Sequence, residues 1–207
     1  MAIQGIDVSR FQGKPDWQRV NQAGKIFAFA KASQGVSYAD PMFASNWGAM
    51  SNAGMMRGAY HFYSAASPAI AQANNFIRVV GSLDSGDLPP VLDLEDRAGM
   101  LQNHVTAAAL RQGAHDWLDA VEEAFNMTPI IYTDPSFWKQ YMSDEFGEYP
   151  LWIANYNVQE PIIPSAWEDY TFWQYSQTGK TAGIAGNVDL NVFNGSQDDL
   201  EALTSVK

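Results

Sequence analysis

Residues 89–96, PPVLDLED, form a short apolar run that ends in carboxylates, and they indicate both a buried strand and a site. Side chains alternate faces along a strand, so Asp93 and Glu95 share one face while the two leucines take the other. The Cα atoms of this pair would lie roughly 6 to 7 Å apart, close enough for one carboxylate to raise the pKa of the other. A carboxyl that holds its proton near neutral pH can act as a general acid, so the strand predicts acid–base chemistry.

The composition predicts a single globular domain over residues 1–207, which we expect to be catalytic. Hydrophobic residues make up 46% of the chain, aromatic residues 13% and charged residues 17%, enough apolar material for a packed core. The formal net charge of -11 argues against nucleic acid and anionic membrane surfaces as partners, because phosphate binding depends on clustered Lys and Arg. With no cysteine, thiolate metal sites and disulfides are excluded.

Alternating strand and helix patterns predict an α/β fold, an irregular TIM-like (β/α) barrel of eight mostly parallel strands. Helices are expected between the first five strands and are missing between the later ones. One helix should begin at an N-cap formed by Asp40, and another should place Ala109, Leu110 and Trp117 on one buried face. The eight strand candidates are residues 3–9, 26–32, 56–63, 91–95, 129–132, 150–156, 171–176 and 187–192.

Three of these strands end in the same pattern, an acid followed two positions later by a second polar residue. The ends are Asp7-Val8-Ser9, Asp93-Leu94-Glu95 and Asp189-Leu190-Asn191. The first and last strands of a closed barrel are neighbours, so Asp7 should lie beside Asp189 at the rim where barrels place their chemistry. A single acid at a strand end more often serves a turn, but four in equivalent positions favour a site.

Aromatic residues at strand ends supply the second indication of function. Each is more often a core residue than a ligand platform, but aromatic rings beside paired carboxylates suit a carbohydrate cleft, and paired acids catalyse glycoside hydrolysis. The candidates are Tyr60, Phe62, Tyr63, Tyr132, Trp152, Tyr156, Trp173 and Tyr175.

Four further features have two interpretations each. Lys31 either orients an acid or extends to solvent, and Gln174 binds a sugar or a neighbouring strand. His61 is expected to be a hydrogen-bonded interior residue rather than a catalyst. The acid cluster could instead hold Mg²⁺ or Ca²⁺, while three histidines without metal spacing disfavour zinc.

The chain resembles the glycoside hydrolase family 25 lysozymes, the muramidases of Chalaropsis type. The resemblance covers nearly the whole chain in the order of the family. Its motifs are GIDVS at 5–9, KAS at 31–33, GAYHF at 58–62, VLDLE at 91–95, PIIY at 129–132, LWIA at 151–154, WQYS at 173–176 and VDLN at 188–191.

This resemblance implies hydrolysis of the β-1,4 bond between N-acetylmuramic acid and N-acetylglucosamine in bacterial peptidoglycan, generally with retention. It assigns Glu95 as the proton donor, which we expect to hold a proton near neutral pH, and Asp93, Asp7 and Asp189 as the surrounding acids. Either Asp93 or the acetamido group of the substrate would attack the anomeric carbon. No cofactor and no metal ion is expected. Substrate-binding candidates are Lys31, Tyr60, Phe62, Tyr132, Trp152 and Gln174.

An enzyme of this kind would act on the cell wall, outside the membrane or in the periplasm. The first residues lack a signal peptide and no stretch is long enough to span a membrane. Three interpretations stay open: the protein remains inside the cell, it leaves by another route, as a phage lysin or a delivered effector would, or its leader has been removed. We expect a monomer. Two alternatives are a non-catalytic glycan-binding barrel and a hydrolase of another amino-sugar polymer such as chitin.

Overall fold

A computed structural model describes residues 2–95, 99 and 103–204. Within this part of the chain, eight strands close into a barrel in the order β1, β9, β8, β7, β6, β5, β4, β2, and β2 pairs again with β1. The predicted eight-stranded barrel is therefore confirmed. The strands are β1 Ile3–Val8, β2 Lys25–Gln34, β4 Met56–Phe62, β5 Val91–Leu94, β6 Ile130–Thr133, β7 Leu151–Ala154, β8 Phe172–Gly179 and β9 Val188–Phe193, and the two-residue β3, Tyr38–Ala39, pairs with β2 outside the ring.

The helices lie mainly on the earlier side of the barrel, as predicted. In the described residues, no helix separates β7 from β8 or β8 from β9. The α-helices are α1 Trp17–Gln22, α2 Phe43–Asn52, α3 Ala69–Val80, α4 Ala107–Phe125, α5 Pro135–Tyr141 and α6 Gln197–Ala202, with short 3-10 helices at Arg10–Gln12 and Asp144–Phe146.

The direction of β9 differs from the expectation of a strand that ends at the rim. It runs antiparallel to both β8 and β1, whereas the other neighbouring pairs in the ring are parallel. Asp189 therefore lies at the beginning of its strand. Because the start of an antiparallel strand meets the end of its neighbour, Asp189 still reaches the rim beside Asp7.

Two local expectations about helices are wrong. Helix α2 begins at Phe43, and the carboxylate of Asp40 accepts hydrogen bonds from the backbone N–H groups of Met42 and Arg10, at 2.9 and 3.1 Å, so it secures a turn before the helix. On α4, Leu110 and Trp117 are buried as predicted, but Ala109 is exposed, because the buried face begins at Leu110 and continues through Ala114.

The core has two layers separated by the barrel wall. Aromatic rings fill the barrel interior, where the ring centre of Phe29 lies 5.3 Å from that of Phe172. Glycine at positions 5 and 58 leaves room for these rings. A Cβ atom at Gly5 would lie 2.3 Å from the ring of Phe27, and a Cβ atom at Gly58 would lie 2.3 Å from the ring of Phe29. The second layer packs the outer wall against the helices. Aromatic side chains therefore fill the barrel interior below its upper rim.

Asp96, the last carboxylate of the stretch at 89–96, lies outside the described residues. Among the described helices, none combines the length and apolar character needed to cross a membrane.

Candidate active site

A cleft of about 230 Å³ opens at the rim of the barrel. Each of the eight barrel strands, or the residue directly after it, contributes a side chain to the cleft, so the closed sheet gathers residues that are distant in sequence. All ten predicted site residues line it: Asp7, Lys31, Tyr60, Phe62, Asp93, Glu95, Tyr132, Trp152, Gln174 and Asp189.

The four acids occupy two sides and two depths of the cleft. Asp7 and Asp189 are directly paired across β1 and β9, as the neighbour argument predicts. Asp93 lies on β5 with 5% of its surface exposed, whereas Glu95, just beyond the strand, is exposed at the rim. Glu95 can therefore meet a ligand at the mouth of the cleft, and Asp93 faces it from below.

Asp7 and Asp189 behave as a proton-sharing pair. Burial first, and then the negative charge of Asp189, raise the pKa of Asp7 well above its ordinary value. Burial also raises the pKa of Asp189, but a hydrogen bond from Asp7 opposes this change. The proton is thus held by Asp7 and directed at Asp189, and the pair carries one negative charge over the pH range between its two titrations.

Two buried amides hold the carboxyl group of Asp7 from below. Gln174 Nε2 and Asn191 Nδ2 donate to Asp7 Oδ2 at 2.7 and 2.8 Å. The amide oxygens face aromatic donors: Gln174 Oε1 accepts from the Tyr132 hydroxyl at 2.9 Å, and Asn191 Oδ1 accepts from Trp152 Nε1 at 2.8 Å. These partners determine which way each amide points and orient Asp7 toward Asp189.

Three further residues lie at or behind the cleft, and one of them, Tyr156, is among the aromatic candidates at the strand ends. Asn191 is fully buried and pairs with Gly5, one layer below the rim. The Tyr156 hydroxyl also donates to Gln174 Oε1. Phe11 lines the cleft with 81% of its surface exposed. The spacing of two residues from Asp189 places Asn191 on the same face of its strand and could have identified it as a residue of the site. Phe11 follows the strand in a segment with no periodic pattern.

Lys31 and two phenols add hydrogen-bond donors to the cleft. Burial lowers the pKa of Lys31, and the negative charges of Asp93, Asp40 and Glu95 oppose that shift, so its ammonium lies close to the acids. Burial, followed by the carboxylate charges, raises the pKa of Tyr60 and of Tyr132 well above the ordinary value. Both phenols therefore keep their protons and can donate to sugar oxygens or carboxylates.

Other candidates lie away from the cleft or contribute mainly to its floor. Tyr63, Trp173 and Tyr175 do not line it. Trp152 does, but only 2% of its surface is exposed, and its ring stacks on Phe29 with ring centres 4.5 Å apart. The expectation that His61 is an interior residue is confirmed by its full burial.

In the described part of the chain, no group of three His, Asp or Glu side chains is arranged to hold a metal ion. The chemistry that the arrangement offers is that of carboxylates and phenols. A protonated carboxyl can donate to a leaving oxygen, and an ionised one can stabilise a positive charge that develops on a sugar ring.

A barrel that presents four carboxylates beside aromatic rings at one rim defines a carbohydrate-cleaving hydrolase as the class of protein. The family model described as glycosyl hydrolases family 25 matches residues 6–184, and the chain belongs to this family. The predicted resemblance and the predicted enzyme class, a glycoside hydrolase, are both confirmed.

The chain is similar to known proteins over nearly its full length. The chain is 41% identical to the uncharacterized protein YegX of Escherichia coli K12, covering 97% of this chain and 72% of YegX. It is 39% identical to Lysozyme M1 of Streptomyces globisporus, covering 98% and 71% respectively. The crystal structure of a bacterial lysozyme from Streptomyces coelicolor aligns with a TM-score of 0.94 at 37% identity, over 99% of this chain and 97% of that one.

Proposed function

We propose that this enzyme is a lysozyme that hydrolyses the β-1,4 bond between N-acetylmuramic acid and N-acetylglucosamine in peptidoglycan. The observation that carries the proposal is the convergence of Asp7, Asp93, Glu95 and Asp189 on one cleft beside aromatic side chains. Family membership and the lysozymes among its relatives support the same substrate. Residues 1–207 would act as one catalytic domain.

In this proposal Glu95 donates the proton to the leaving glycosidic oxygen and later removes one from water. Its exposed position at the rim suits contact with a polymer that lies across the mouth of the cleft. Retention follows by either of two routes. Asp93 attacks the anomeric carbon, or it orients and stabilises the acetamido group of the substrate as that group attacks.

The remaining residues bind or polarise the sugar. The Asp7–Asp189 pair places a single negative charge opposite Asp93, where it would stabilise an oxocarbenium-like transition state. Lys31, Tyr60 and Tyr132 offer hydrogen-bond donors, Phe62 offers a ring face, and Trp152 and Gln174 form the floor. No step in this scheme calls for a metal ion or a cofactor.

Replacement of Glu95 tests the assignment. We expect Glu95→Gln to lower the release of reducing ends from peptidoglycan by about 10³-fold, because the general acid is lost. Glu123→Gln is the matched control, since Glu123 is exposed on α4. Equal melting temperatures would show that both variants fold. Full activity in Glu95→Gln would overturn the role of this residue.

The same assay distinguishes the proposed function from two alternatives, a binding protein without activity and a hydrolase of another polymer. A non-catalytic binding barrel would bind peptidoglycan without releasing reducing ends. A chitin hydrolase would cleave N-acetylglucosamine oligomers faster than peptidoglycan. We expect the wild-type enzyme to cleave peptidoglycan with clear preference.

The cell wall is the proposed place of action, and one chain is the proposed active unit. Every barrel strand of a single chain contributes to the cleft, so no second subunit is required to complete it. Light scattering during size-exclusion chromatography should give the mass of a monomer, and activity that vanishes on dilution would contradict this.

A further inference from the structure

A second cleft of about 470 Å³ adjoins the catalytic cleft. We call it the side cleft. The two share Ser9, Phe11 and Lys31, so a ligand in one can extend directly into the other. Beyond these shared residues, the side cleft is lined by the loop after β1, which carries Arg10, and by the turn at Gly35–Tyr38.

The walls of the side cleft are held in place by buried polar residues. Asp40, which is 5% exposed, accepts from the backbone N–H of Arg10 at 3.1 Å and so anchors the loop that carries it. Asn75, which is 3% exposed, donates to the carbonyl oxygens of Gly35 and Tyr38 at 3.0 and 3.1 Å. The side cleft is therefore largely preformed, as binding sites for small groups usually are.

Arg10 is oriented by aromatic neighbours. Its Cζ atom lies 5.0 Å from the ring centre of Phe11 and 5.8 Å from that of Tyr38, and Nη1 donates to the Tyr38 hydroxyl at 3.3 Å. These partners are neutral and leave the charge of the guanidinium in place. The fork of an arginine has five N–H donors, which suits two-point binding of a carboxylate.

The charges divide the two clefts. The catalytic cleft contains four carboxyl groups, and Arg10 lies in the side cleft. Lys31 lies where the two clefts meet, and its ammonium group donates a hydrogen bond to Gln34 Oε1 at 2.8 Å. Asp40 is the acid of the side cleft, and its carboxylate is occupied by two backbone N–H groups. An anionic part of a ligand is therefore repelled from the catalytic cleft and attracted toward Arg10.

We propose that the side cleft binds a carboxylate carried by the substituent of the muramic acid ring, with Arg10 as the binding residue and exposed Phe11 as an apolar surface beside it. This inference rests on the proposed function, because that substrate bears a lactyl group extended by a peptide. In the intact polymer the lactyl carboxyl group is bound to the peptide through an amide, so the carboxylate bound there belongs to the peptide. A lactyl carboxylate is available only where the peptide is missing. Recognition of this substituent would select which sugar lies on each side of Glu95.

Arg10→Gln tests the proposal on three forms of the polymer. The forms are intact peptidoglycan, peptidoglycan stripped of peptides so that the lactyl carboxylate is free, and intact peptidoglycan whose carboxylates have been converted to amides. On the intact polymer we expect kcat/KM to fall about tenfold, mainly through KM, because a charge-assisted hydrogen bond is lost. On the amidated polymer the variant and the wild type should be equal, which also shows that the variant folds.

The stripped polymer identifies the source of the carboxylate. A loss that persists on it shows that Arg10 also binds the lactyl carboxylate, and a loss that disappears shows that Arg10 binds a carboxylate of the peptide alone. Arg10→Lys should fall between the wild type and Arg10→Gln, because it keeps the charge without the fork. Arg19→Gln, at an exposed position on α1, is the matched control and should change nothing.

Binding measurements decide the proposal independently of hydrolysis. Affinity can be measured without hydrolysis by co-sedimentation with the polymer. The Glu95→Gln variant and the double variant Glu95→Gln, Arg10→Gln are each sedimented with intact and with amidated polymer. We expect Arg10→Gln to weaken binding to the intact polymer only. Equal binding or equal activity on the intact polymer, or the same loss on the amidated one, would overturn the proposal. Failure of the wild-type enzyme to cleave any form would instead count against the proposed function.

Discussion

Two buried polar clusters lie on opposite faces of the same barrel wall. The inner cluster consists of Asp7, Gln174 and Asn191 and faces the cleft. The outer cluster consists of Ser33, His61 and Gln72 and lies under the helices. Both have less than a tenth of their surface exposed and both are hydrogen-bonded, so burial and hydrogen bonding alone do not mark a site.

The outer cluster is closed and neutral. The Nδ1 atom of His61 lies 2.8 Å from Ser33 Oγ, and Nε2 lies 3.2 Å from Gln72 Oε1. Since the Gln72 amide nitrogen donates to two backbone carbonyls, its oxygen faces the ring, and His61 therefore donates through Nε2. Burial lowers the pKa of His61 to about 4, so the ring is neutral above that pH.

The inner cluster differs because it adjoins a second ionisable carboxyl group, that of Asp189, at the cleft. The amides orient Asp7, but its carboxyl remains beside Asp189, and both pKa values are raised. The contrast indicates that a candidate site is marked by neighbouring ionisable groups with shifted pKa values that open onto a cleft. A closed network of the same size stabilises the fold instead.

Substitutions in the catalytic cleft and in the outer cluster should differ most in their effect on catalytic activity. We expect Asp93→Asn to lower kcat/KM on peptidoglycan by about 1000-fold, because it removes the charge or nucleophile at the sugar. His61→Gln should change kcat/KM by less than about threefold, since the outer cluster does not touch the cleft. Comparable losses of kcat/KM in both variants would show that the outer cluster also contributes to activity.

The outer cluster should make the protein sensitive to acid. Between pH 6.5 and about 4 the unfolded chain protonates His61 and the folded chain does not. The free energy of unfolding should therefore decrease as the pH falls through this range, by on the order of 3 kcal/mol.

Chemical denaturation at several pH values measures this dependence. His61→Gln should flatten it. A wild-type profile that is already flat would contradict the assigned burial of a neutral ring.

The inner cluster should have the opposite pH dependence. Folded Asp7 keeps its proton above the usual value of 3.8, where the unfolded chain has lost it, so stability falls as the pH rises through the raised pKa. Asp7→Asn reproduces the protonated form. It should raise the melting temperature by about 2–4 °C at pH 8, the shift expected for about 1 kcal/mol. At pH 3.5 the melting temperatures should converge, and a destabilised variant at pH 8 would contradict the proton assignment.

The smallest effect should come from the hydroxyl of Tyr156. Tyr156→Phe removes one of two donors to Gln174 Oε1, and Tyr132 keeps the amide in place. We expect kcat/KM to change by less than about threefold. Replacement of both tyrosines by Phe should give a clearly larger loss, because the buried amide oxygen then lacks both donors.

The sequence predicts the positions of the inner acids because strand alternation and barrel closure are simple geometric rules. Alternation places Asp93 and Glu95 on one face, and closure brings β1 beside the last strand. The direction of β9 is not available from the same patterns. A turn between 179 and 188 can lead to either a parallel or an antiparallel neighbour, and only the tertiary pairing decides.

The hydrogen-bond partners behind the acids are less predictable. Asn191 is identified as polar by its spacing, but its bond to Asp7 depends on the register of β9 against β1. Arg10 and Phe11 follow β1 in a short 3-10 helix, where no periodic pattern shows which way a side chain points. Functional residues in such loops are found only when the fold has been built.

The identity of the new reducing end tests the central claim most directly. Digested peptidoglycan can be reduced with borohydride and its sugar alcohols identified by mass spectrometry. We expect N-acetylmuramitol as the new product of the wild-type enzyme and its absence after treatment with Glu95→Gln. Appearance of N-acetylglucosaminitol instead, or an unchanged yield of muramitol from Glu95→Gln, would contradict this claim.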